Sequence, residues 1–417
     1  MKIAVKCTIV AISLWLIVNS TVAANEDDSG ENSTNTTSSN ENQTAKKPHP
    51  LCAMCNCNTE LRTFDCSSRK LHGLFNTVDW ATLNNSGVAT DTMILSRNNI
   101  PEVPQFPQFD VKVLDLSYNN ISIIAKKAFY HLMNLEVLDL SYNMLTRKAM
   151  IPEIFEGSYN LDHYLPLGKM RILRLGNNNM NSLDADLFQH LPNLEELSLT
   201  GNMFNPWDPS STIAIGNLMW LRTLDLSYME LQKIPFRLFI LPQELWYVNL
   251  TGNLLTTIPD ALGDATNLKW LSLDENPIER IQGDHVFPLL KTLEYLSISN
   301  MSQLKIIGRG AFSKLERLQE VQICNNPSLT HLHKEAFSRT KDEDDPVRLE
   351  WPRIKKLYLN NNNLSRLDSQ LLTEWDDMEV IDIRFNPWQC DRDNQWMMET
   401  LIPILKKKTP KHMNSVV

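Results

Sequence analysis

The chain has 417 residues, 42% of them hydrophobic, and a net charge of −9 at pH 7. That is ample material for a large core. The basic residues are scattered, which excludes an electropositive nucleic-acid surface, so no nucleic-acid partner is expected.

Taken from the amino terminus, residues 1–24 read as a secretory signal peptide. Lys2 and Lys6 precede an apolar run over 7–18, and Val22, Ala23 and Ala24 offer small side chains for cleavage. The run is short for a membrane span, no later run reaches spanning length, and no apolar carboxyl-terminal tail suggests a lipid anchor. A secreted, extracellular chain with no membrane span is expected. Residues 25–50 form a polar arm with little to bury, expected to be disordered and to carry glycans at the sequons of Asn32, Asn35 and Asn42. Further sequons start at Asn84, Asn120, Asn249, Asn300 and Asn363.

Residues 51–88 open with Cys52, Cys55, Cys57 and Cys66, spaced C-x2-C-x-C-x8-C. A zinc site and a pair of disulfides compete, and an oxidising compartment favours disulfides; four cysteines allow three pairings. A cross-linked cap here would shield the apolar end of a stacked array.

The array itself is announced by VKVLDLSYNNI at 111–121, repeated as LEVLDLSYNML at 135–145 and LRTLDLSYMEL at 221–231. This is the leucine-rich repeat pattern L-x-x-L-x-L-x-x-N-x-L, in which alternating leucines make a short strand with one buried face. Its ninth position recurs twelve times over residues 89–386: Asn98, Asn119, Asn143, Asn178, Asn202, Met229, Asn253, Asn276, Met301, Asn326, Asn362 and Asn386. The intervals are 21, 24, 35, 24, 27, 24, 23, 25, 25, 36 and 24. Most lie near 24, and the two long ones mark insertions near 146–169 and 339–350. Each asparagine amide is placed to satisfy backbone groups where the chain leaves the sheet. Met229 and Met301 should leave gaps in that ladder and loosen it locally. Phe129, Phe188, Phe312 and Phe337 read as plugs between strand and convex side. The predicted fold is an α/β-type solenoid: a horseshoe with a parallel concave sheet and a mostly irregular or short-helical convex side.

The order of signal, four-cysteine cap and repeats resembles the extracellular leucine-rich repeat family, which includes Slit, chaoptin, Toll-type ectodomains and the small leucine-rich proteoglycans. The resemblance implies the pairing Cys52–Cys57 and Cys55–Cys66. It also implies binding of proteins, glycans or lipids through the repeat surface. Residues 387–417 match its carboxyl-terminal cap only at the start, in Asn386-Pro387-Trp388 and Cys390. Arg392 stands where a second cysteine would be, so the last repeat is expected to fray. The lysines at 406–408 and 411 read as a solvated tail. Cys324, one residue after Ile323, is expected to face the concave side and to stay outside any intramolecular disulfide, as is Cys390.

No catalytic constellation, cofactor loop or metal cluster emerges. His331 and His333 lack convergent acidic or thiol partners, and the acidic run over 342–345 lacks the spacing of a calcium loop. No enzyme is expected. The expected role is recognition or adhesion, with a receptor, ligand or matrix protein as partner. The alternative is a structural matrix component binding collagen-like or glycan ligands. The candidate contact site lies at the third position of repeats seven to nine, where Tyr247, Trp270 and Tyr295 fall in register beside Trp246. Asn249 sits on the same face, so a glycan there would compete with binding.

Overall fold

A computed structural model describes residues 50–85, 90–160, 163–342, 345–372 and 378–403. The signal segment, the polar arm with Asn32, Asn35 and Asn42, and the lysine-rich tail lie outside the described residues.

Alternating leucines produce what their spacing demands. A three-residue strand occupies positions three to five of every repeat, from Thr92–Ile94 in the first to Val380–Asp382 in the twelfth. The twelve strands join in chain order as parallel neighbours in unshifted register, so equivalent positions line up across the sheet. Positions four and six point inward: Leu114, Leu116, Leu138, Leu140, Leu173 and Leu175 are all buried. Burial of each such side chain contributes roughly 1.5–3 kcal/mol. Because the buried side chains of each repeat pack against those of the repeats beside it, the core is a continuous ribbon.

The cap closes the first edge of that sheet. Cys52–Cys57 and Cys55–Cys66 are bonded, the pairing implied by the family resemblance. They hold an antiparallel hairpin, Asn56–Asn58 with Thr63–Asp65, whose second strand pairs in parallel with Thr92–Ile94. Trp80, a buried residue of the short helix Thr77–Asn85, touches Phe64, Phe75, Phe106 and Phe109 and links cap to array.

The phenylalanine plugs are buried as expected, and Phe129 stacks between Phe106 and Phe155. Phe155 was not anticipated, because it belongs to the first insertion. That insertion therefore contributes to the core through a 3-10 turn, Pro152–Phe155, before its hairpin Ser158–Asn160 with His163–Leu165. The second insertion is also a hairpin, Arg339–Asp342 with Asp345–Glu350, anchored by Arg339 bonding to Glu350 at 2.9 Å.

The asparagine ladder has the geometry its position predicts. In a regular rung, Asn276 Nδ2 donates to the carbonyls of Leu250 and Leu273, and its Oδ1 accepts from the Leu255 N–H. One side chain thus ties two repeats together. The expectation of gaps at Met229 and Met301 needs correction. Both methionines are fully buried. Asn253 Oδ1 accepts from Met229 N–H as well as from Leu231 N–H, and Asn326 Oδ1 accepts from Met301 N–H. The Phe204 N–H, which an asparagine at 229 would have received, donates to the Met229 carbonyl instead. At Met229 the next rung and the backbone take over the missing amide's work, while at Met301 the next rung receives the Met301 N–H.

Position eight, just before the asparagine, has positive φ in all twelve repeats, and only Gly201 and Gly252 are glycine there. The turn is set from position five: Asp115, Asp139 and Asp225 accept from the N–H of Ser117, Ser141 and Ser227 at 2.9–3.0 Å. Two tyrosine arrangements follow. Tyr118 and Tyr142 stack at 4.1 Å, with Arg97 over Tyr118. Tyr228 crosses the face of the next repeat and donates its hydroxyl to Glu275 at 3.0 Å. A Cβ at Gly252 would lie 2.3 Å from the Tyr228 ring. Burial, then the Glu275 carboxylate, push the Tyr228 hydroxyl up to about 12.

At the far end the array is covered without a disulfide among the described residues. Trp388 Nε1 donates to the Ile383 carbonyl and Trp396 Nε1 to the Leu367 carbonyl. Asn394 continues the ladder by accepting from Leu367 N–H and donating to the Ser365 carbonyl. Met397 and Leu401, in the helical turn Met397–Leu401, are buried against the last repeat. Fraying of the last repeat, expected from the missing cysteine, would have to break these contacts.

Candidate functional site

Register alone builds the concave cluster. Tyr247, Trp270 and Tyr295 open three consecutive strands, Tyr247–Asn249, Trp270–Ser272 and Tyr295–Ser297, and pair as direct neighbours. Strands about 4.8 Å apart put like side chains at ring-stacking distance. Tyr247 lies 4.1 Å from Trp270 with planes at 10°, and Trp270 lies 4.9 Å from Tyr295 at 4°. Trp246 meets the edge of Tyr247 at 5.8 Å. The four residues singled out from sequence are therefore brought together.

Their presentation differs from a set of exposed rings. Tyr247 and Trp270 are only 8% and 7% exposed, while Tyr295 and Trp246 are half-buried. Each inner ring face is occupied by its neighbour, so the column offers edges and the phenol groups at its ends. Burial raises both phenols above their ordinary value; Asp225 and Glu196 add to this at Tyr247, and Asp274 and Glu320 at Tyr295.

Carboxylates frame the column. Burial holds Asp225 and Asp274 above the usual carboxylate range, against the lowering effect of Ser227 at Asp225 and of Ser297 and Ser299 at Asp274. Ser297 Oγ and Ser299 N–H both donate to Asp274 at 2.6 Å. Glu320 is paired with Lys356 at 3.0 Å. Asn249 is half-buried in this face, with its Oδ1 accepting from Thr251 N–H. The Thr251 hydroxyl is bonded to Ser272 Oγ at 2.8 Å, so both polar members of that sequon are engaged in the sheet. Asn120 and Asn363 are exposed and Asn300 is half-buried beside Asn325; the Asn84 side chain is not among those described.

Cys324 does not face the open concave side. It is fully buried, with Sγ 3.3 Å from Asn360 Oδ1, because position seven turns inward where the strand ends. Cys390 is exposed, and neither cysteine forms a disulfide. Among the described residues no cluster of three or more metal-ligating side chains occurs, and no helix is long and apolar enough to cross a membrane. His331 and His333 lie 6.1 Å apart with Glu335 nearby, and burial lowers His333.

Comparison with known proteins bears directly on this architecture. Profiles of the leucine rich repeat match residues 89–145, 164–204 and 220–278, and a second profile of the same repeat matches 134–157. The chain is a leucine-rich repeat protein. This leucine-rich repeat chain is 29% identical to lumican of Rattus norvegicus over 44% of its own length and 55% of lumican's. It is 27% identical to Tsukushi of Gallus gallus, over 60% of this chain and 59% of Tsukushi. Leucine-rich repeat serine/threonine-protein kinase 1 of Mus musculus is 26% identical, but the match covers only 12% of the kinase. The chain thus spans little more than half the length of lumican and Tsukushi, and the shared feature is the repeat.

Proposed function

We propose that this is an extracellular, non-enzymatic recognition protein that binds a protein partner through its concave face, centred on Trp246, Tyr247, Trp270 and Tyr295. The observation that carries the reading is the in-register column on the concave sheet, the longest run of touching aromatic rings along that sheet among the described residues. Similarity to lumican and Tsukushi, together with the disulfide-bonded cap, supports placing the chain beside the small leucine-rich proteoglycans. The same similarity favours a second reading, a structural matrix component holding collagen-like or glycan ligands. Sugar stacking needs an open ring face, and the inner faces of this column are covered. Aromatic edges beside the Asp225 and Glu320 carboxylates suit a protein surface with polar and cationic groups better.

The test is an interaction screen of the secreted protein against extracellular proteins, followed by titration of each hit. A saturable complex weakened by ~2 kcal/mol in Tyr295→Ala or Trp246→Ala is expected. Both substitutions lie at the half-buried rim, so secretion should be unchanged. Hits indifferent to both variants would move the contact away from this face. Retention in a fibrous matrix, released only by salt or denaturant, would favour the second reading.

A further inference from the structure

The return halves of repeats five and six depart from the regular pattern. After Phe204 the chain enters the α-helix Pro209–Gly216, capped by Asp208, which accepts from Ser211 N–H at 3.0 Å. Residues 231–241 run alongside, leaving a groove of about 700 Å³. In other repeats the aromatic residue of the return half fills the core, as Phe129, Phe312 and Phe337 do. Here Phe239 takes the core place, and Phe236 stands in solvent at 72% exposure. Ile213 on the helix and Leu241 across the groove are each 50% exposed. Trp207 forms part of the wall, fixed by its Nε1 donating to Thr212 Oγ1 at 2.9 Å.

Two cations border this apolar surface. Lys233 and Arg237 both line the groove and are exposed. Among the described residues neither forms an ion pair with a carboxylate, and the Arg237 guanidinium lies instead near the Phe236 ring at 5.8 Å. The one acidic lining residue, Asp208, is occupied by Ser210 and Ser211. Contiguous apolar side chains left in water mark contact surfaces. A small ligand would ordinarily be enclosed on most sides. A wall residue as exposed as Phe236 instead suits an elongated segment laid along an open groove.

We propose that this groove docks an acidic amphipathic segment of a partner protein. Its apolar residues would lie against Ile213, Phe236 and Leu241, and its carboxylates beside Lys233 and Arg237. The site lies on the return side of the repeats, away from the sheet face that carries the aromatic column, and is independent of it.

The experiment uses the full-length secreted protein and fluorescence anisotropy with labelled synthetic helices of about 18 residues, five turns long. One helix carries leucine and phenylalanine on one face and glutamate on the other; its counterpart has lysine in place of glutamate. The chain's net charge of −9 would by itself favour the lysine peptide. A preference for the glutamate peptide of at least about tenfold is expected, because contact charges outweigh distant ones screened within about 8 Å at physiological salt. Lys233→Glu combined with Arg237→Asp should invert the preference; aspartate tolerates the positive φ of 70° at that position. Phe236→Ser should weaken both peptides with thermal unfolding unchanged. Equal affinity for the two peptides, a preference surviving the charge reversal, or no saturable binding up to about 1 mM would overturn the proposal. A concentration-dependent dimer abolished by Phe236→Ser would overturn it in favour of a second copy of this chain.

Discussion

The concave column and the return-side groove are both built from aromatic and aliphatic side chains in adjacent repeats, yet they meet water in opposite ways. Parallel register in the sheet fixes Tyr247, Trp270 and Tyr295 at stacking distance, so the rings cover one another. The return halves of repeats five and six have no such constraint. There the helix Pro209–Gly216 and the Phe236 segment diverge, and their apolar side chains remain in solvent. Shared chemistry therefore gives a rigid surface with small exposed edges in one place and an open apolar surface in the other. The first is fitted to hold its shape, the second to be covered.

The largest expected contrast between the two is in stability. Trp270→Ala removes a ring packed on both faces and should cost about 3–5 kcal/mol by urea unfolding. Phe236→Ala should stay within about 0.5 kcal/mol, as for exposed positions. A cost below about 1 kcal/mol at Trp270 would mean that the column is loosely held and would remove the distinction.

The ladder beneath the column sharpens the comparison next. Asn253 accepts from both Met229 and Leu231 and donates to the carbonyls of Leu226 and Leu250. Asn253→Ala should cost about 2–3 kcal/mol by leaving buried backbone groups without partners. Asn276→Ala should cost less, since Asn276 accepts from a single N–H. Equal losses would show that Met229 is held by packing alone.

A smaller effect, of opposite sign, is expected beside Tyr247. Burial raises the Asp225 carboxyl above its ordinary value, so its ionisation opposes folding once the pH passes the unfolded value of about 3.9. Asn249 occupies the equivalent position in repeat seven and makes the same bond to the N–H two residues on. Asp225→Asn should therefore raise the melting temperature at pH 7–8, with the gain vanishing below about pH 3.9. A loss of stability at neutral pH would show that the carboxylate's bonds to Ser227 outweigh its burial. The smallest effect belongs to the thiols. Mass spectrometry after alkylation should find Cys390 modified in the native protein and Cys324 only in denaturant. Rapid native labelling of Cys324 would contradict its burial.

How much of this was legible in the sequence depended on periodicity. The leucines and asparagines located twelve strands and the ladder, and register alone placed Tyr247, Trp270 and Tyr295 together. Burial was not legible, because a strand pattern gives the side to which a ring points and not whether its neighbour covers it. Cys324 was misplaced for a related reason: position seven lies past the strand, where alternation no longer holds. The groove left only a local signal, Asp208-Pro209, an N-cap followed by a proline suited to the first turn. The methionine rungs could not be read singly, since Asn253 compensates from the adjacent repeat.

The tyrosines at position eight bear on how such an array can change length. Tyr118 and Tyr142 accept each other as consecutive neighbours, whereas Tyr228 needs the bare backbone at Gly252 to reach Glu275 two repeats away. A duplication that placed a DLSY unit directly after Tyr228 would displace its ring from Glu275. Deletion of the Gly252 unit would bring Glu275 a full strand closer. Repeats two and three can be copied at this row without loss of the stack, while the Tyr228–Glu275 bond survives only where six, seven and eight stay together. Recombination among repeats would thus keep these tyrosine contacts at joints in the first quarter of the array and lose one at its middle.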